Sequence, residues 1–294
     1  MNRPDRASVG GVRIATWNVN SAKQRAPRLL SWLAERQPDV VCLQETKLTD
    51  DAFAALFDAP LAELGYDVAH HGQGRWNGVA LLSRVGLADV ERAFPGQPDF
   101  EGLAEARAVS ATCAGVRVHS LYVPNGREVD SPHYRYKLAW LDALATAVAA
   151  DPTDVALCGD MNIAPTDADV FDPAAFVGLT HVTAPERERL AAFGLTDVVR
   201  AHWPSRRVFS YWDYRGGMFH QDLGMRIDLV LTSAPVAGRV AAAWVDRAAR
   251  KGTSPSDHAP VIVDLDEAPD GDIGPVVPPP SHPGRGRGPV KVPR

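Results

Sequence analysis

Val155-Ala156-Leu157-Cys158-Gly159-Asp160-Met161-Asn162 is an apolar run of strand length that ends in a glycine and two polar side chains. A short apolar run bounded in this way reads as a buried strand, which puts Asp160 and Asn162 at its end. The same design recurs in both directions along the chain. Upstream, residues 12–15 lead into Thr16-Trp17-Asn18-Val19-Asn20, and residues 40–43 lead into Gln44-Glu45-Thr46-Lys47. Residues 79–82 and 116–122 are further strands. Downstream, residues 227–231 carry Asp228 near their start, and residues 261–265 follow Ser256-Asp257-His258-Ala259-Pro260. Helical spacing is read over 25–37, where Leu29, Leu30 and Leu33 recur before Pro38, and also over 136–150 and 185–193. Strands and helices mixed along the chain predict α/β layers, without a fixed-period repeat.

Polar side chains gathered at one end of a sheet are the usual way an α/β protein builds a site. Here they are carboxylates, carboxamides and one imidazole. Such hard oxygen donors suit Mg²⁺, with Mn²⁺ as substitute, better than zinc. Cys42, Cys113 and Cys158 stand singly in apolar runs, which is neither a disulfide framework nor a zinc cluster. They fit a reducing, cytoplasmic setting. No apolar stretch reaches the roughly 18 residues of a membrane span, and residues 1–11 are polar, without a secretory h-region.

The chain of 294 residues is 45% hydrophobic and 23% charged, an ordinary globular composition. Its organisation is read as a flexible N-terminus over 1–11, a catalytic domain over 12–266 and a disordered Pro/Gly-rich basic tail over 267–294. A monomer is expected. The net charge of −5 argues against a protein that coats nucleic acid. It does not exclude a nuclease, because a cation bound among carboxylates inverts the local field.

The ordered motifs Trp17-Asn18-Val19-Asn20, Leu43-Gln44-Glu45-Thr46-Lys47, Leu121-Tyr122-Val123-Pro124-Asn125-Gly126, Gly159-Asp160-Met161-Asn162, Arg226-Ile227-Asp228 and Ser256-Asp257-His258-Ala259-Pro260 resemble the exonuclease III branch of the endonuclease/exonuclease/phosphatase superfamily. The resemblance runs from about residue 13 to residue 265. It implies a four-layer sandwich of two packed mixed β-sheets flanked by helices. It also implies a metal-dependent DNA phosphodiesterase of base excision repair: a 3′→5′ exonuclease on duplex DNA with apurinic/apyrimidinic (AP) endonuclease and 3′-phosphatase activity. The expected partner is double-stranded DNA with abasic sites or 3′ ends.

By the same resemblance, Glu45 is the main metal carboxylate, with Asn18 beside it and Asp257 completing the surroundings. Asp160, Asn162 and His258 also fall in the expected metal set. Asp160 orients or deprotonates the attacking water, Asn162 holds the water or the phosphate, and His258 binds phosphate as a partner of Asp228. Tyr122 contacts the phosphate or the leaving oxygen. The residues are compatible with either role for Asp160 and with one metal ion or two.

Substrate contacts are implied for Trp76 in Gly74-Arg75-Trp76-Asn77-Gly78 and for Asn125 and Arg127 in the loop after Tyr122. Tyr134, Arg135 and Lys137, read as preceding a helix, are expected to hold a flanking phosphate, and Lys23 and Arg25 an upstream one. Tyr211, Met225 and Ile227 match the lining of a small apolar pocket for a flipped-out abasic sugar, which costs little to extrude because it has no base to unstack. The competing readings are another phosphoesterase of the superfamily, an inositol polyphosphate phosphatase or a sphingomyelinase, and a non-catalytic DNA-binding relative. The first two would need a lysine-rich pocket motif or an apolar membrane-facing insertion, and the sequence shows neither. The third conflicts with the identities of Glu45, Asp160, Asp228 and His258.

Overall fold

Strands β1 (Val12–Asn18) and β2 (Val40–Gln44) lie parallel, joined by helix α1 (Ala22–Arg36). The computed structural model describes residues 11–151 and 153–267. After β2 come α2 (Asp50–Glu63), β3 (Asp67–His71) and β4 (Val79–Ser83), then β5 (Ala88–Arg92), β6 (Ala108–Cys113) and β7 (Val116–Tyr122). A second crossover follows, with α3 (Pro132–Ala150) leading into β8 (Val155–Asp160), parallel to β7. The chain continues through α4 (Ala184–Ala192), β9 (Thr196–Asp197), α5 (Val198–His202), β10 (Asp228–Thr232), α6 (Ala234–Ala237), β11 (Val240–Val245) and β12 (Val261–Leu265).

The strands form two six-stranded sheets, ordered β11-β12-β1-β2-β4-β3 and β5-β6-β7-β8-β10-β9. Each has one parallel pair, and its remaining pairs are antiparallel, so both sheets are mixed. The alternation of side chains along a strand explains the layering. Ile14, Val40, Cys42 and Leu81 point inward to meet Val118, Ala156, Cys158 and Val230 of the other sheet. Their neighbours Ala15, Val41 and Leu43 point outward under Leu29, Leu33, Phe53 and Phe57. On the opposite side Leu121, Leu157 and Leu229 pack under Trp140, Leu141 and Leu144 of α3. The result is helix, sheet, sheet, helix, with the central strands of both sheets buried on two faces. That is why these strands read as continuous apolar runs.

Several element ends differ from the sequence reading. Asn18 and Asp160 are the last residues of their strands rather than residues beyond them. Helix α3 starts four residues early, because the Ser131 hydroxyl caps it by accepting from Tyr134 N–H and Pro132 fits the first turn. Tyr134, Arg135 and Lys137 are therefore inside the helix and not before it. Apart from Gly11 and Glu267, the N-terminal segment 1–11 and the tail 267–294 lie outside the described residues.

Candidate active site

Strand register brings the first three polar groups together. Tyr122 at the end of β7 pairs with Asp160 at the end of β8, and Asp160 pairs with Asp228 at the start of antiparallel β10. A Cβ on Gly159 would lie 1.9 Å from the Leu121 carbonyl oxygen, so only glycine lets β8 approach β7 just before Asp160. The other sheet contributes Asn18 and Glu45. Glu45 and Asn162 both sit at positive φ, 52° and 50°, where the chain leaves its strand and turns a side chain over the sheet edge.

His258 is buried, with Nδ1 2.8 Å from Asp228 Oδ2 and Nε2 3.7 Å from Asp160 Oδ2. Burial alone pushes an imidazole down, but the charges of Asp228 and Asp160 outweigh it and raise His258 to about 10. The ring is therefore held as a cation with Nε2–H facing Asp160. Asp160 itself is raised to about 7, first by burial and then by Asp228 and Glu45, against the opposing pull of His258.

Glu45, Asp160 and His258 offer atoms that all lie within 4.8 Å of one another. The carboxylates are fixed from behind. Asn18 Nδ2 donates to Glu45 Oε1 at 2.8 Å and to Asp160 Oδ2 at 3.0 Å, while the Asn18 oxygen accepts from Asn20 N–H at 3.0 Å. Asn18 thus sets the spacing of two carboxylates with its NH₂ and turns its own oxygen away, unlike the ligand role expected from sequence. Lys47 Nζ lies 2.7 Å from Glu45 Oε2 and also reaches Asn20, whose amide donates to Asp257 Oδ1 at 3.0 Å. Burial alone raises Glu45, but Lys47 and Asn18 outweigh it and keep the carboxyl lowered. Ionised oxygen donors with free lone pairs fit a hard divalent cation. His258 turns Nδ1 to Asp228 and so presents Nε2 to this cluster.

Asn162 faces the other way. Its oxygen lies 3.2 Å from Asn125 Nδ2 and 3.1 Å from His181 Nε2, and its NH₂ donates to the Val123 carbonyl at 2.9 Å. It is therefore grouped with Asn125 and not with the metal cluster. His181 had no motif around it to mark it in the sequence. Burial lowers its pKa to about 4, so it is a neutral ring among amides.

Lys137 does not take the phosphate-facing position expected from its sequence. It is completely buried, and its Nζ donates to Glu186 Oε1 at 2.5 Å and to the carbonyls of Asn162 and Asn125 at 2.7 and 3.2 Å. It holds the site loops from beneath and does not reach a DNA phosphate. Tyr134 is 4% exposed and bonds Thr183, so it too supports the loop. Arg25 is buried as well and donates to the Tyr214 hydroxyl at 2.8 Å. By contrast Lys23 and Arg127 are exposed, and Trp76 is 71% exposed.

Glu45, Asn125, Asp160, Asn162 and His258 open into one cleft of about 760 Å³. One end is polar, with Glu45, Tyr122, Asn125, Asp160 and His258. The other is apolar, with Phe171, Tyr211, Met218, Met225 and Ile227. Tyr211 bridges the two, its ring centroid 4.9 Å from that of His258. The bridge partners Tyr211–Met225 and Val170–Met225 hold the apolar wall. Buried Arg226 anchors it through Asp169 and Asp197, each at 2.7 Å.

The family model for the endonuclease/exonuclease/phosphatase family matches residues 15–258. The sequence is 31% identical over 268 residues to exodeoxyribonuclease III of Haemophilus influenzae, covering 85% of this chain and 98% of that one. Among solved structures, the 3′ phosphatase NExo from Neisseria bound to a product DNA hairpin has a TM-score of 0.82 at 38% identity, covering 87% of this chain and 100% of that chain. An AP endonuclease from Archaeoglobus fulgidus has a TM-score of 0.82 at 33% identity, with the same coverage.

Proposed function

The chain belongs to the endonuclease/exonuclease/phosphatase family, and from that premise we propose that it is a metal-dependent DNA phosphodiesterase of base excision repair. It removes nucleotides and phosphates from the 3′ ends of duplex DNA and incises abasic sites, leaving 3′-OH. The observation that carries this reading is the Asp228–His258 pair facing Asp160 and Glu45 in a cleft whose other end is apolar. The expected cation is Mg²⁺, replaceable by Mn²⁺, held by Glu45 with Asp160 and Asp257 nearby. The enzyme works as a monomer in the cytoplasm. Among the described residues no helix is long and apolar enough to cross a membrane.

The chemistry follows from the groups present. A phosphodiester is anionic, and in-line attack by water adds charge to its oxygens. A divalent cation, when bound, neutralises part of that charge. His258 Nε2–H donates to a non-bridging oxygen as the charge grows. Asp160, raised to about 7, accepts a proton from the attacking water. Asn125, held by Asn162 and His181, orients the phosphate at the polar end of the cleft. Tyr122 is kept as a phenol by burial and by Glu45, both of which raise its pKa, so it remains a hydrogen-bond donor beside the leaving oxygen. The P–O3′ bond breaks, and the proton goes to O3′.

Release of inorganic phosphate from a duplex ending in a 3′-phosphate tests this. The wild type should be active in Mg²⁺, and His258→Ala should lose about 10²–10³-fold in kcat. Wild-type turnover in that variant would remove His258 from the mechanism.

A further inference from the structure

A second, smaller cleft of about 240 Å³ adjoins the catalytic one, and Asp213 and Met218 line both. Its far wall carries Tyr214, His220, Arg250 and Lys251. Arg250 is only 6% exposed. Its guanidinium lies over the rings of Tyr214 and Phe219, 4.9 and 5.1 Å from their centroids, and Nη2 donates to the Trp212 carbonyl at 2.9 Å. Its buried Nε has no hydrogen-bond partner. Beneath Tyr214, Arg25 donates to the tyrosine hydroxyl and to the Pro255 and Asn20 carbonyls. The acceptors around Arg25 and Arg250 are therefore carbonyl, amide and phenol oxygens, with no carboxylate ion pair among the described residues. Asp213, the one acid of the cleft, is occupied by Arg215 through bonds of 2.7 to 3.0 Å.

Buried cations without an anionic partner are costly to keep. Elsewhere in this protein they are paired, as in Arg13–Asp264 and Arg226–Asp169. A planar guanidinium that lies over two rings, lines the cleft and has no carboxylate within ion-pair distance among the described residues is a preorganised positive site for a phosphate oxygen. Lys251 and His220 are exposed at the mouth and add donors from the solvent side.

We propose that this second cleft is a phosphate subsite, which holds a backbone phosphate of the DNA strand where it continues past Met218 and out of the catalytic cleft. The assignment rests on the DNA-processing reading above. It gives the enzyme a grip outside the reacting centre, one that fixes strand position without reading sequence.

The test is equilibrium binding of a fluorescent DNA hairpin in EDTA, so that nothing is cleaved, at about 50 and 200 mM salt. Lys251→Gln and Arg250→Gln should each weaken binding several-fold at the lower salt. Each should also reduce the salt slope by about one, as expected for one lost phosphate contact. Arg250→Lys, which keeps the charge, should recover most of the slope and answers any folding defect in Arg250→Gln. Wild-type affinity and slope in both glutamine variants would overturn the subsite. So would inorganic phosphate that binds the wild type and not the variants while their DNA slopes stay unchanged, since the cleft would then serve free phosphate. No binding by the wild type would instead sink the parent reading, and the subsite with it.

Discussion

Asp228 holds His258 through Nδ1 at 2.8 Å, with both side chains buried, and this contact turns Nε2 of the imidazole towards Asp160. The charge of this imidazole is therefore set by a carboxylate behind it.

Asp228→Asn should return His258 towards its ordinary value near 6.5 from about 10. The working form is the cation, so activity is present below the folded pKa and lost as pH rises through it. In the wild type the alkaline fall should come near 10. In the variant it should move towards neutral, with about a 10²-fold loss two pH units above the ordinary histidine value. A pH–kcat profile checks this, and an unshifted alkaline limb would contradict it.

Asp160 predicts the opposite limb. Its base form is present above the folded pKa of about 7 and is lost as pH falls through it. A bound cation adds positive charge nearby and favours the carboxylate, so raising Mg²⁺ should move the acid limb to lower pH. Asp160→Asn should cost about 10²–10⁴-fold in rate. An acid limb that ignores Mg²⁺ and survives Asp160→Asn would assign it to another group.

Lys137 and Glu186 form a fully buried pair beneath the two carboxamides of the site. Lys137→Met leaves a buried carboxylate without its partner and should destabilise the fold by about 3–5 kcal/mol. Adding Glu186→Leu should recover much of that stability, because both charges are then gone. Recovery of kcat should be poorer, since the carbonyls of Asn125 and Asn162 still lack their common donor. Urea unfolding and kcat measured on the wild type, Lys137→Met, Glu186→Leu and the double variant separate the two effects. Additive stability losses would contradict the pairing.

Which features could be read from the sequence follows from these contacts. The central strands β2, β4, β8, β10 and β12 were legible because each is buried on both faces and carries a continuous apolar run, while β1 and β7 show apolar residues among the polar Arg13, Arg117 and His119. Strand β5 is exposed at all five positions, Ala88 to Arg92, and has no apolar signal. Strand β11 is rich in alanine, and α2 has too many apolar residues around it to show a clear stripe. The polar side chains of the cleft could be picked out as a group because they stand at or beside strand ends in short motifs. The fate of Lys137 was not, since its partner Glu186 lies 49 positions away and charge alone suggested a surface. His181 was hidden for the same reason: its partners Asn125 and Asn162 are brought to it only by the fold. The two-sheet layering itself came from the family resemblance, because periodicity gives strands and not their order.

Tyr211→Ala removes the ring that joins the apolar wall to His258. Incision at an abasic analogue should fall more than removal of a normal 3′ nucleotide, because only the baseless sugar needs the apolar end. Equal losses in the two assays would deny the wall a selective role.

The most direct measurement uses a short duplex with one central tetrahydrofuran abasic analogue, labelled at the 5′ end of that strand and incubated with Mg²⁺ or with EDTA. Mg²⁺-dependent cleavage is expected, as a single cut 5′ to the analogue, a ladder from the 3′ end, or both, and none with EDTA or with Glu45→Ala. An intact strand in Mg²⁺, or cleavage that persists in EDTA or in Glu45→Ala, would contradict the proposed metal-dependent cleavage.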